Sequence, residues 1–161
     1  MNHTSTATDA SRAGTALLAA AALLLIGSVL PWYSARVGDF SVSRNGIGDG
    51  LLGWICLAAG IVAAILGVQI RQGRPASRGL WRAARILSVA SLVAVAIRLA
   101  DVSRTVETEL GAFKPSIEIG LMLSGLGAIV AVIGAYVLAG KALKRDPAIE
   151  PRVESDGEPL G

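Results

Sequence analysis

The chain has 161 residues, of which 53% are hydrophobic, 17% charged and 4% aromatic, with a mean hydropathy of +0.59 and a formal net charge of +3. A soluble domain of this length carries roughly 25% charged residues to cover one core, which argues against a water-soluble enzyme. The single cysteine, Cys56, cannot close a disulfide within the chain, so no disulfide framework holds the loops.

Residues 1–12 are small and polar without apolar periodicity, and predict a disordered tail. The uncharged run Ala13 to Tyr33 predicts a first membrane span, about 13–33, closed by Pro31-Trp32-Tyr33. Proline ends a helix there, and Trp32 and Tyr33 favour the headgroup level. The run exceeds the roughly 7–15 residues of a signal-peptide core and lacks a clean cleavage site, so a span is preferred to a secretory leader. Residues 34–49 connect to the second span; Val37, Phe40 and Val42 flank Gly38-Asp39 and allow a short β-hairpin, with a second turn at Asn45-Gly46. Within Gly46-x-Gly48-Asp49-Gly50, Asp49 is placed to cap the next helix, the alternative being weak cation binding with Asp39.

The second span covers about 50–70, with Trp54 at its outer interface. Residues 71–85 then hold Arg71, Arg74, Arg78, Arg82 and Arg85 around Trp81, with no acid and a turn at Pro75. A third span over about 83–100 reaches roughly 27 Å, provided that Arg85 and Arg98 snorkel to opposite interfaces. Leu99, Val102, Val106 and Leu110 extend its apolar stripe, which predicts a helix continuing to Gly111 before Lys114-Pro115 breaks it. The fourth span covers about 120–140, and residues 146–161 read as a disordered acidic tail.

These elements predict an all-α, four-helix transmembrane bundle over residues 13–145. With both termini inside, the cytoplasmic segments hold ten basic residues and the external ones five, so the charge bias assigns N-in, C-in topology in a bacterial plasma membrane. Gly60 to Gly67 matches Ala128 to Ala135 loosely; parallel repeats of one hairpin and chance similarity in low-complexity sequence are the two explanations.

Reactive groups are few. His3 lies in the tail and Cys56 in an apolar run, so neither a metal nor another cofactor is expected. Ser28, Ser88, Ser91 and Ser124 are the main intramembrane hydroxyls, read as bonding to helical carbonyls or neighbouring helices. Gly53, Gly60 and Gly67 recur every seven residues, as do Gly120, Gly127 and Gly134. Such spacing keeps one face free of side chains, either for packing inside the bundle or for docking another subunit. Asp101, Glu107, Glu109 and Glu118 read as a solvated face rather than a calcium site. The arginine-rich loop is too short for a nucleic-acid surface, and anionic lipid headgroups are its nearer partner.

Pro31-Trp32-Tyr33 closing the first span and Gly46-Ile47-Gly48-Asp49-Gly50 opening the second resemble small uncharacterised four-span membrane proteins of actinobacteria, over roughly residues 14–140. That resemblance implies location and topology and no activity. The layout is also similar to claudin-like four-span proteins, but Leu51-Leu52-Gly53-Trp54 only partly echoes their GLW motif and Cys56 has no partner. The expected role is non-enzymatic: an accessory or assembly partner of another membrane protein or of a second copy, with a small oligomeric channel or transporter as the alternative.

Overall fold

The computed structural model describes residues 3–37, 40–74, 76–104, 106–108, 111–113 and 115–138. Four helices dominate: α1 (His3–Val29), α2 (Leu51–Arg71), α3 (Arg78–Val102) and α4 (Ile119–Val132), the last continued by a π-helical stretch, Ile133–Leu138. Each contains a stretch long and apolar enough to cross a membrane. Their ends follow local chemistry. Gly73 takes φ +65° after α2, the Arg74 amide donates to the Gln69 carbonyl (3.0 Å) and the Gly73 amide to that of Ile70 (3.1 Å), a Schellman closure. The Ser77 hydroxyl accepts from the Leu80 amide at 3.2 Å and so caps the start of α3.

Successive helices run antiparallel. Helix α1 packs between α2 and α4, and α3 closes the ring on the far side, against those same two helices. The buried face of α1 is Ala13, Leu17, Ala20, Ala21, Leu24 and Ser28, a helical spacing of three and four. Much of the interior is small: Ala59, Ala63, Ala84, Ala94, Ala128 and Ala131 are buried, whereas Ile61, Ile65, Ile86, Val93, Met122, Leu126 and Ile129 point outward. Two buried clusters stack along the bundle, one around Trp32, Leu24, Leu121 and Cys56, the other around Leu17, Leu66 and Ala84.

One end of the bundle carries antiparallel β-structure. Strands β1 (Pro31–Val37) and β2 (Phe40–Asn45) form the hairpin that the sequence allows. Beyond them lie β3 (Val106–Thr108), β4 (Gly111–Phe113) and β5 (Ser116–Ile117). Strand β5 pairs with β1, Tyr33 opposite Ile117, giving the order β2-β1-β5; β3 and β4 form a separate pair.

Several expected boundaries shift. Helix α1 begins at His3 within the stretch expected to be structureless, because lengthening an existing helix avoids the cost of nucleation and no proline or glycine interrupts residues 3–13. It ends at Val29, and residues 31–33, expected within the first span, belong to β1. The helix expected to reach Gly111 stops at Val102; the Ser103 amide donates to the Leu99 carbonyl at 3.1 Å, and β3 and β4 follow. The apolar stripe through Val106 has a helical period, but strand pairing satisfies the backbone there instead. The acidic segment 146–161 lies outside the described residues.

Candidate functional site

At the sheet end the chain concentrates its buried charge. Arg98, in the last turns of α3, directs Nε and Nη2 onto the two carboxylate oxygens of Asp49. Its Nη1 donates to Asp101 Oδ2 at 2.5 Å, and its guanidinium carbon lies 5.2 Å from the centroid of the Tyr33 ring. The Asp49 side chain is 1% exposed, that of Arg98 20% and that of Asp101 57%. A bidentate fork is the strongest pairing available to a carboxylate, and a cation over an aromatic face adds to it. Both salt bridges found among the described residues belong to Arg98.

Asp49 is held for this role by a short 3-10 turn, Ile47–Asp49. Asn45 Oδ1 accepts from the Gly48 amide at 2.7 Å, the Asp49 amide donates to the Gly46 carbonyl at 3.2 Å, and Gly50 at φ +89° swings the chain into α2. The expected cap is therefore corrected: Gly50 occupies the N-cap of α2, and no side chain caps it. A cation site at Asp49 is corrected too, because Arg98 engages both of its oxygens. Asp39 lies outside the described residues, and no group of three or more metal-ligating side chains occurs among those described.

Beneath the ion pair sits Trp32, fully buried rather than at an interface. Its Nε1 donates to the Gly27 carbonyl at 2.8 Å, which satisfies the indole polar group and lets the ring enter the core. A Cβ on Gly46 would lie 2.5 Å from that ring, and one on Gly53 would fall inside the Gly46 carbonyl. The second loop is tied to the first: the Glu118 amide donates to the Trp32 carbonyl at 3.0 Å, and Ser34 Oγ to Glu118 Oε1 at 2.6 Å. Glu118 thus joins this cap, whereas Asp101 pairs with Arg98 while its side chain stays 57% exposed, as a solvated face requires; the side chains of Glu107 and Glu109 lie outside the described residues.

The heptad glycines all turn inward. A Cβ on Gly60 would stand 3.0 Å from Leu25, one on Gly67 2.9 Å from Leu18, one on Gly127 2.9 Å from Leu23 and one on Gly134 3.1 Å from Leu17. Gly120 lies under the Pro31 and Leu30 carbonyls. Helices α2 and α4 therefore use their glycine faces against α1 and the loop above it, and those faces are not open to another subunit.

At the opposite end, Arg71, Arg74, Arg78 and Arg82 are exposed. Arg85 is partly buried: its Nε donates to the Ala135 carbonyl at 3.3 Å, and its guanidinium lies 5.4 Å from the Tyr136 ring centroid. It thereby ties α3 to the π-helical stretch that continues α4. Trp81 is half-buried against the lower core cluster, Tyr33 is half-buried in the upper one, and Trp54 is exposed.

Ser28, Ser88 and Ser91 donate to carbonyls of their own helices, at 2.7, 2.9 and 2.9 Å. Ser124 Oγ is buried without a hydrogen-bond partner among the described residues, and Cys56 is buried and free. No family model, curated protein or solved structure matches the chain.

Sequence reading places Arg98 at an interface and Asp49 at a helix start without joining them. The available signal is geometric: in antiparallel neighbours, the start of the second span and the end of the third meet at the same level, so opposite charges at those positions face each other. The Ser34–Glu118 bond gives no such signal, because it depends on how the two loops fold over the bundle.

Proposed function

We propose that the chain is a multi-pass protein of the bacterial plasma membrane, with both termini cytoplasmic, that acts without catalysis as an accessory or assembly partner of another membrane protein. Lipid is the natural solvent for a bundle whose large apolar side chains face outward and whose alanines, glycines and serines face inward. The observation that carries the assembly role is the three-stranded sheet at one end. In the order β2-β1-β5, strand β2 lies at an edge, and Ser41 to Asn45 along it are all exposed, with Val42 at 58%. An edge strand offers backbone donors and acceptors to an added strand, while its side chains select the partner.

The experiment is photocrosslinking from position 43 in native membranes, followed by mass spectrometry. A discrete protein adduct, weakened by Val42→Pro, supports the reading; recovery of nothing beyond lipid refutes it. Ion flux through liposomes containing only this protein would instead favour the channel alternative. The five arginines of residues 71–85 then lie at the cytoplasmic headgroup level, where each base near an anionic surface is worth about 1 kcal/mol.

A further inference from the structure

We propose that the outer groove between α3 and the π-helical end of α4 holds one anionic phospholipid, its phosphate gripped by Arg82 and Arg85. The third span carries two partly buried arginines, and the fold treats them differently. Arg98 engages both oxygens of Asp49 and one of Asp101. Arg85 meets no carboxylate among the described residues. Its Nε donates to the Ala135 carbonyl at 3.3 Å, and its guanidinium carbon lies 5.4 Å from the Tyr136 ring centroid. Those contacts fix the guanidinium against α4 without neutralising it, and they leave Nη1 and Nη2 without an acceptor among the described residues. A cation held beside hydrocarbon is expensive unless it is paired, and a phosphate matches the guanidinium fork.

The surroundings fit a lipid better than a soluble anion. Arg78, Arg82, Arg85 and Val89 follow one another at helical spacings of three and four, which puts them on one face of α3. Arg82 and Arg85 are neighbours on that face, so both can reach one phosphate. Arg85 stands about 10 Å along the helix from Arg78, deeper than a headgroup layer of roughly 5–8 Å. Past Arg85 the outward surface turns apolar, with Val89 on α3 and Ile129 and Ile133 on α4 all exposed, and acyl chains can lie over them. Neither residues 71–100 nor residues 119–140 include an acid, so the ammonium of a zwitterionic headgroup finds no carboxylate there and a net negative headgroup is preferred. Basic pockets between spanning helices hold anionic headgroups by the same balance of charge and depth. This inference rests on the membrane reading and deepens it: a general attraction of arginines for an anionic surface becomes one lipid at one place.

The test is native mass spectrometry of the full chain in nonionic detergent, titrated with phosphatidylglycerol or phosphatidylcholine. One phosphatidylglycerol per chain should bind at least about tenfold more tightly than phosphatidylcholine. Arg85→Gln and Arg82→Gln should each weaken that binding at least about threefold. Arg71→Gln removes the same charge from the other side of the bundle, where the side chain lies beside Gly14 of α1, and should change it by less than about twofold. Equal losses in Arg71→Gln and Arg82→Gln, or no preference between the two lipids, overturn the proposal. Displacement of the lipid by millimolar inorganic phosphate assigns the guanidinia to a soluble anion and also overturns it. Protection of the buried Cys56 from maleimide reports whether each variant is folded. If Arg85→Gln opens the bundle, the comparison of Arg82→Gln with Arg71→Gln decides, since both side chains are exposed. Failure of the membrane reading would appear separately, as recovery of the chain in the soluble fraction without detergent.

Discussion

Removing Arg98 should damage this protein more than removing Asp49, although the two form one ion pair. In Arg98→Ala the Asp49 carboxylate, 1% exposed in the intact pair, loses its fork of donors. An uncompensated buried charge costs about 3–5 kcal/mol. In Asp49→Ala the guanidinium keeps the Asp101 carboxylate at 2.5 Å and the Tyr33 ring, and it is itself 20% exposed, so the remaining charge is partly solvated. Its loss should stay at about 1.5–2 kcal/mol, the low end for a hydrogen bond to a charged group. Cys56 supplies the assay, because it is fully buried and free and reacts with a maleimide only when the bundle opens. In detergent micelles its labelling rate should rise about 10²-fold or more in Arg98→Ala and roughly tenfold in Asp49→Ala. The double variant should resemble Asp49→Ala, giving a coupling equal to the whole Arg98→Ala cost, about 3–5 kcal/mol. Equal effects of the single variants, or additive effects in the double, would refute the buried-pair argument.

Other substitutions test the packing beneath it. Gly53→Ala should lower stability by at least about 2 kcal/mol in the same labelling assay, because its Cβ collides with the Gly46 backbone, whereas Gly79→Ala in α3, whose Cβ meets only Ser77 Oγ at 4.0 Å, should raise it by about 0.5–1 kcal/mol. Trp32→Phe removes the donor to the Gly27 carbonyl and should cost about 1–3 kcal/mol, seen as a lower thermal midpoint in detergent. Ser124→Ala should be neutral or stabilising by that measure, since the buried hydroxyl has no partner to lose.

Much of the bundle is legible in the sequence because uncharged runs of about 20 residues have few alternatives, and Pro31 and Pro75 mark the breaks after the first and second runs by local rules. The hairpin at Val37 to Asn45 follows from alternation and turn residues, and the sevenfold glycine spacing marks a close helix contact. What escapes is what the chain brings together at a distance. Trp32 reads as an interface aromatic until Gly27 and Gly46 are seen to make room for its indole. Ser116 and Ile117 make a strand of two residues that exists only because β1 is already there to pair with it. Asp49 obeys every local rule for a helix cap, yet Arg98 takes both of its oxygens, an instance of tertiary pairing overriding local preference.

The most direct test of the account is cysteine labelling in intact cells with a membrane-impermeant maleimide, comparing Ser43→Cys on β2 with Gly79→Cys at the start of α3, each in a Cys56→Ala background. The account predicts that Ser43→Cys reacts in intact cells and that Gly79→Cys reacts only after permeabilisation. Labelling of Gly79→Cys from outside, or recovery of the chain in the soluble fraction without detergent, would contradict it.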